Sequence, residues 1–529
     1  MEKKPIRKAI SRTIPYLEKG KRGVFRLVFG RTGIVCGMIF LQVLLMYFVY
    51  KNFVSHITYL YSGYMAIAVA IVVYIVNRPD NPTLKLSWCI LILVFPFLGS
   101  FLYIMVKLQI GHRVIDRKLT NQIELSRPYA VSEYHTEIRL SLEDAGVSNL
   151  AQYVEDFGPY PIYRNNAVQY LPSGEALFEE LMIRLRRARH FVFLEYFIIA
   201  EGYMWDTILA LLTKKVKEGV EVYLLYDGTC SIGTLPPGYA KKMERLGIKC
   251  KVFSPVYPLV STHYNNRDHR KILVIDGHTA FTGGINLADE YMNVKKRFGH
   301  WKDTAVMIQG PAVRSFSLMF LQIWNTTDPV LRYKTYLDVP VPEFLYENGY
   351  VMPYADSPLD AEQIGKMVYL DMINRAKRYV HITTPYLILD HEMVTALTYA
   401  AKRGVEVAIV MPHIPDKKPV FALSKTHYPE LLAAGVRIFE YTPGFIHAKM
   451  VVCDDLEAVI GSINFDYRSL YLSFECAAYL YKCDAIAQME KDIQEILRKS
   501  HQITRRDWER EKKFTKFAGS LMKLLAPLM

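Results

Sequence analysis

Residues 269–286 read HRKILVIDGHTAFTGGIN, and residues 447–464 read HAKMVVCDDLEAVIGSIN. Both stretches run His, one residue, Lys, four residues, Asp, six residues, Gly, two residues, Asn. His269, Lys271, Asp276, Gly283 and Asn286 therefore stand at one constant offset from His447, Lys449, Asp454, Gly461 and Asn464. A lone His-x-Lys carries no information. A five-point pattern repeated inside one chain points to duplication of a functional unit.

The flanking sequence repeats as well. KEGVEVYLLYD at 217–227 parallels KRGVEVAIVMP at 402–412, and each follows a helical stretch, around 204–218 and 391–403. HFVFLEYFII (190–199) and YVHITTPYLIL (379–389) read as buried strands. Strands alternating with helices predict α/β architecture, with two like halves at 160–340 and 341–500.

The local pattern places the chemistry. ILVI after Lys271 and MVVC after Lys449 are apolar throughout, as in strands buried on both faces. His and Lys then sit at the mouth of a rigid, dry strand. Asp276-Gly277 and Asp454-Asp455 read as tight turns into a second strand, which makes both aspartates turn or scaffold residues. The glycines permit close approach of backbone to a ligand. Asn286 and Asn464 add amide donors. One copy thus offers an imidazole, an ammonium and an amide. Two copies facing each other offer two imidazoles across one phosphorus, one to attack and one to protonate the leaving oxygen. Lys271, Lys449 and the amides neutralise the charge that develops on the other phosphate oxygens. This chemistry requires no metal and no cofactor, and the sequence contains no HExxH, P-loop or Cys/His cluster.

A nucleophilic imidazole needs its second nitrogen held. Within the first half the best carboxylate is Asp303, in HWKDTAV. Within the second it is Glu475, in LSFEC, on the strand expected after the motif. Each is expected to serve the histidine of its own half.

The 529-residue chain carries a net charge of +13, is 51% hydrophobic and has a mean hydropathy of +0.08. The charge attracts phosphate-bearing partners, nucleic acid or anionic lipid. Hydropathy chooses between them. Residues 1–32 form a basic tail with ten Lys or Arg among the first 31 positions, against Glu2 and Glu18. Apolar runs follow at 33–50, 57–76 and 86–106. Each is near the roughly 20 residues that span a bilayer. Residues 33–110 are therefore read as an α-helical membrane region and 111–159 as a linker. Pro96 and Gly99 break the third run, making it re-entrant and letting both the basic tail and the basic stretch after residue 106 face the cytoplasm. The expectation is a multi-pass protein of the cell membrane with its catalytic halves on the cytoplasmic face. Nucleic acid is a poor partner for such a chain. Residues 501–529 form a basic amphipathic tail. The seven cysteines are scattered without a CxxC pair, which excludes a disulfide framework or zinc knuckle.

The motif pair resembles the HxKx4Dx6GSxN signature of the phospholipase D superfamily. Ser462 matches the family serine, whereas Gly284 replaces it in the first half. The resemblance implies two phospholipase D-like halves packed as a pseudo-dimer. It implies a catalytic set of His269, Lys271, Asp276, His447, Lys449 and Asp454, with His269 as nucleophile and His447 as acid and then base. It also implies Asn286, Asn464 and Ser462 on the substrate phosphate, with Asp303 and Glu475 behind the histidines. The membrane block with LSWCILILVFPFLGSFLYIM, NNRDHRKILVIDGHTAFTGGINLADEY, GSINFDYRSLYLSFE and the closing LLAPLM are similar to the bacterial cardiolipin synthase family. That family joins two phosphatidylglycerols into cardiolipin and glycerol through a phosphohistidine. A membrane-bound phospholipase D hydrolysing lipid to phosphatidic acid would use the same residues.

Overall fold

The computed structural model describes residues 57–524 except 80, 109, 256–265, 342–348 and 360–361, together with Ala526 and part of 40–51. The basic tail and most of the first apolar run lie outside the described residues. The chain divides into two compact units, one up to Gly111 and one from His112 onward.

In the N-terminal unit the second apolar run is helix α1, Ile57–Val76. The third run is two helices, α2 (Pro82–Val94) and α3 (Pro96–Leu108), because Pro96 ends the ladder of the first and opens the second. They fold against each other as a hairpin. A side chain at Gly99 would meet Leu91 O at 2.6 Å, so only glycine allows this approach. Trp88 and Tyr103 stack edge to face at 5.3 Å beneath Ile92. Among the described residues no helix is long and apolar enough to cross a membrane.

The second unit holds two large sheets and a two-stranded one. The first half contributes β1 (Ala167–Leu171), β2 (Phe191–Tyr196), β3 (Glu221–Asp227), β4 (Lys249–Phe253), β5 (Arg267–Asp268), β6 (Lys271–Ile275), β7 (Thr279–Gly283), β8 (His300–Lys302) and β9 (Ala305–Gln309). The second half contributes β10 (Tyr350–Asp356), β11 (Tyr379–Thr383), β12 (Glu406–Pro412), β13 (Arg437–Tyr441), β14 (Gly444–Ile446), β15 (Met450–Cys453), β16 (Glu457–Gly461), β17 (Ser473–Tyr481) and β18 (Ser500–Ile503). The large sheets run β1-β9-β7-β6-β2-β3-β4 and β10-β17-β16-β15-β11-β12-β13-β18. Apart from β18, which adds an edge strand to the second sheet, the order is the same strand for strand, so the duplication seen in the motifs extends through the α/β unit.

Two short strands leave their own half. β5 pairs in parallel with the start of β17, Arg267 opposite Ser473 and Asp268 opposite Phe474. β14 pairs in parallel with β8, Gly444 opposite His300 through Ile446 opposite Lys302. The largest apolar cluster likewise mixes the halves, with Phe193, Val274 and Ile308 joined to Val380, Val451 and Tyr479. Helix Val313–Trp324 runs through it, and every residue but Arg314 is buried. A helix so apolar is stable inside such a core, where its buried Ser315, Ser317 and Gln322 find hydrogen-bond partners.

Each motif aspartate closes a hairpin. Asp276 and Gly277 have φ of 51° and 70°, and Asp454 and Asp455 have 57° and 61°. Paired positive φ values make the turn whose twist matches the flanking strands. The Asp276 carboxylate accepts from the backbone N–H groups of Arg189 (2.8 Å), His190 (2.7 Å) and Phe191 (2.9 Å). Asp454 accepts from those of Lys377 (2.7 Å), Arg378 (2.8 Å) and Tyr379 (2.8 Å). Both aspartates thus clamp the start of the neighbouring strand, at the far end of β6 and β15 from the histidines. This corrects the resemblance, which places them in the catalytic set: their oxygens are committed to scaffold bonds.

Candidate active site

His269 follows β5 directly and His447 follows β14. The parallel pairings carry each histidine beside the residue after the partner strand segment, which is an acid from the other half. His269 donates its backbone N–H to Phe474 O (2.9 Å), and its Nδ1 lies 2.9 Å from both oxygens of Glu475. His447 donates its N–H to Lys302 O (2.7 Å), and its Nδ1 lies 2.7 Å from Asp303 Oδ2. The expectation that each acid serves its own half is therefore wrong. The pairs cross because β5 and β14 do. Asp303 and Glu475 are both fully buried.

The two pairs are not electrostatic copies. Burial drives the His447 imidazole down to about 4, and Lys449 adds to this against the pull of Asp303. Burial works to raise Asp303, but His447 and Lys449 outweigh it and hold the carboxyl below its ordinary value. This pair is a neutral imidazole on an ionised carboxylate. Burial lifts Glu475 to about 7, opposed by Lys271 and the Ser462 hydroxyl. Burial, then Lys271 and Lys449, push His269 well below its ordinary value. Lys271 and Lys449 are depressed by burial to about 8 and about 7. Each lysine acts on the histidine of the other motif as well as on its own, so the motifs share one electrostatic site. Each ammonium also donates to the carbonyl of its own histidine.

The remaining predicted residues fall into two kinds. Asn286 is tied down: Oδ1 accepts from Ile198 N–H (3.0 Å) and Nδ2 donates to the Tyr291 hydroxyl (2.7 Å). Asn464 leaves its buried Oδ1 without a partner. Ser462 is fully buried, donates to Glu475 Oε2 at 2.5 Å and accepts from Cys476 N–H at 3.0 Å. Its hydroxyl is engaged with the acid behind His269, where the resemblance expects it on the phosphate. Gly284 occupies the equivalent place beneath Asp303, and a side chain there would collide with the Asp303 carboxylate. The shorter acid sits closer to the strand and needs glycine, whereas the longer one leaves room for serine.

Sequence reading missed the aromatic walls. Phe197 meets His269 edge to face at 4.9 Å. Tyr291 and Trp301 stand 5.5 Å and 5.4 Å from the His447 ring. Nothing in the spacing singles them out among 37 Tyr, 26 Phe and 5 Trp. Tyr196 is buried in the first-half core, and half-buried Tyr386 donates to Asp416 Oδ2 at 2.7 Å.

Two imidazoles backed by crossed acids, with two lysines acting on both, on a duplicated α/β scaffold define the phospholipase D-like class of enzymes. The chain matches the family "Cardiolipin synthase, PLD-like domain" at residues 181–324 and 369–497, and "Phospholipase_D-nuclease N-terminal" at 66–107. It is 34% identical to a cardiolipin synthase of Alkalihalophilus pseudofirmus over 88% of this chain and 92% of that protein. It is 33% identical to cardiolipin synthase 2 of Bacillus cereus over 88% and 90%. A Streptococcus mutans protein of undescribed function is 50% identical over 87% and 99%. The crystal structure of a Haemophilus influenzae phosphatidylserine synthase shares the fold, with a TM-score of 0.55 at 15% identity over 72% of this chain and 98% of that one. The chain belongs to the cardiolipin synthase family with phospholipase D-like domains.

Proposed function

We propose that the protein is a cardiolipin synthase that transfers a phosphatidyl group from one phosphatidylglycerol to the free hydroxyl of a second, releasing glycerol. The crossed His269–Glu475 and His447–Asp303 pairs support this reading, because each acid orients one imidazole and both lysines act on both histidines. Extended similarity to cardiolipin synthases supports the lipid substrates.

In the proposed reaction His269 Nε2 attacks the phosphorus of the first lipid, and Glu475 holds its Nδ1. The bond to the glycerol oxygen breaks, and His447 delivers the proton that releases glycerol. Burial favours the uncharged form of both histidines. A bound phosphodiester places a negative charge between them, which raises the proton affinity of His447 and of both lysines. The second lipid's hydroxyl then gives its proton to His447 and displaces the imidazole from phosphorus. Bond for bond this exchanges one phosphodiester for another, so no activated co-substrate is consumed. Phe197, Tyr291 and Trp301 narrow the access of water, the competing acceptor.

The N-terminal unit is read as the membrane region of a multi-pass cell-membrane protein with its catalytic halves on the cytoplasmic face. Supporting this are the outward apolar side chains of Val69, Val73, Leu93, Val94, Phe101 and Ile104, all exposed. A contiguous apolar surface of this kind is costly in water and at home in lipid. The folded-back α2–α3 hairpin is the form expected of a re-entrant third run.

Purified protein given phosphatidylglycerol alone tests the function. Cardiolipin and glycerol in equal amounts are expected, and phosphatidic acid as the only product would make the protein a hydrolase.

A further inference from the structure

The last described helix, Lys513–Lys523, carries two distinct faces. One packs inward. A side chain at Gly519 would run into the Ala422 carbonyl oxygen of helix Lys418–Ser424, and would meet Thr426 Cγ2 just beyond that helix at 2.8 Å. Met522 and Ala526 join Ile388, Leu423 and Tyr467 in a small apolar cluster. The other face is bare: Phe514, Phe517, Leu521 and Leu524 are 80%, 67%, 54% and 44% exposed. Their spacing of three, four and three residues puts them in one stripe along the helix. Lys513, Lys516 and Lys523 flank that stripe.

Four large apolar side chains standing in water on a single stripe need an occupant. Charge decides which. Residues 512–529 contain Lys512, Lys513, Lys516 and Lys523 and no Asp or Glu. Two copies laid stripe to stripe would bring these lysines together, so self-association is opposed. An anionic bilayer satisfies both features, with apolar side chains in the acyl boundary and ammonium groups among the lipid phosphates.

The position of the helix ties it to the site. The Lys418–Ser424 helix it packs on begins beside Lys417 and Asp416. Lys417 lies over the Tyr386 ring at 5.2 Å, and Asp416 accepts from the Tyr386 hydroxyl. Tyr467, in the shared cluster, is three residues beyond Asn464. We infer that the Lys513–Lys523 helix is an interfacial anchor that lays its Phe514–Phe517–Leu521–Leu524 stripe in an anionic phospholipid surface and holds the second-half rim of the site against it. This rests on the lipid-transfer reading above, and the test separates the two.

Full-length Phe517→Trp protein, reconstituted in vesicles of brominated phosphatidylglycerol, reports the contact. Quenching of the added indole beyond that of the parent's tryptophans is expected. Weaker quenching in brominated phosphatidylcholine is also expected. Equal quenching of variant and parent in phosphatidylglycerol overturns the anchor, and equal quenching in the two lipids overturns its preference for anionic lipid. In a second measurement, Phe514→Ser/Phe517→Ser/Leu521→Ser should raise the apparent KM for vesicle phosphatidylglycerol about tenfold while leaving transfer between dispersed short-chain phosphatidylglycerols unchanged. An unchanged vesicle KM overturns the anchor. A parent enzyme that makes no cardiolipin from the short-chain lipid removes the transfer reading instead, whatever the indole reports.

Discussion

At the scale of single residues, the two halves solve one problem with different pieces. Glu475 reaches His269 and takes a serine beneath it, whereas Asp303 reaches His447 and requires Gly284. Gly284→Ser should therefore push Asp303 from under His447 and lower transfer by about two orders of magnitude, measured as cardiolipin formed per folded protein. Ser462→Ala should cost less, about tenfold, because Glu475 keeps its contact with His269. The acids also differ in their effect on stability. Glu475 titrates at about 7 in the folded protein against an ordinary 4.5. Between those values the folded chain holds a proton that the unfolded chain has released, so this group's contribution falls as pH rises through the window. In Glu475→Gln the loss of thermal stability between about pH 5 and about pH 8 should shrink, although transfer is abolished. Asp303 has the opposite sign. Its carboxyl is held below its ordinary 3.8, so its contribution is intact above that value and lost on acidification beneath it.

At the scale of elements, the motif is a hairpin with a clamp. Asp276 and Asp454 each take three backbone N–H groups at the start of β2 and β11. Asp276→Ala or Asp454→Ala leaves those donors unpaired. The expected loss is about 2–4 kcal/mol in urea unfolding of the second unit, with transfer per folded molecule retained. An aspartate acting on substrate would instead show full stability and no transfer. These turns were legible beforehand because Asp-Gly and Asp-Asp between apolar runs have few alternatives. The break in the third apolar run was legible for the same reason, since Pro96 cannot continue a helix. The aromatic walls were not legible, because Phe197 lies just past β2, Tyr291 in a single 3-10 turn and Trp301 in the three-residue β8, all too short to leave a periodic trace.

At the scale of the whole molecule, neither half contains a complete site. Each histidine has its acid across the junction, and the largest core cluster draws on both halves. Severing the chain between residues 341 and 349 should therefore give two inactive fragments. Co-expression should restore cardiolipin synthesis only where the fragments copurify, and transfer by one fragment alone would refute the crossed arrangement. The sequence by itself determined the duplicated α/β unit, the paired His–Lys device, the scaffold turns and the candidate acids, because spacing and hydrophobic period are local properties of a strand and its turn. Only the tertiary structure decided which acid serves which histidine. Asp303 and Glu475 are interchangeable by spacing, and the choice falls to β5 and β14, whose backbone hydrogen bonds are satisfied in the opposite half.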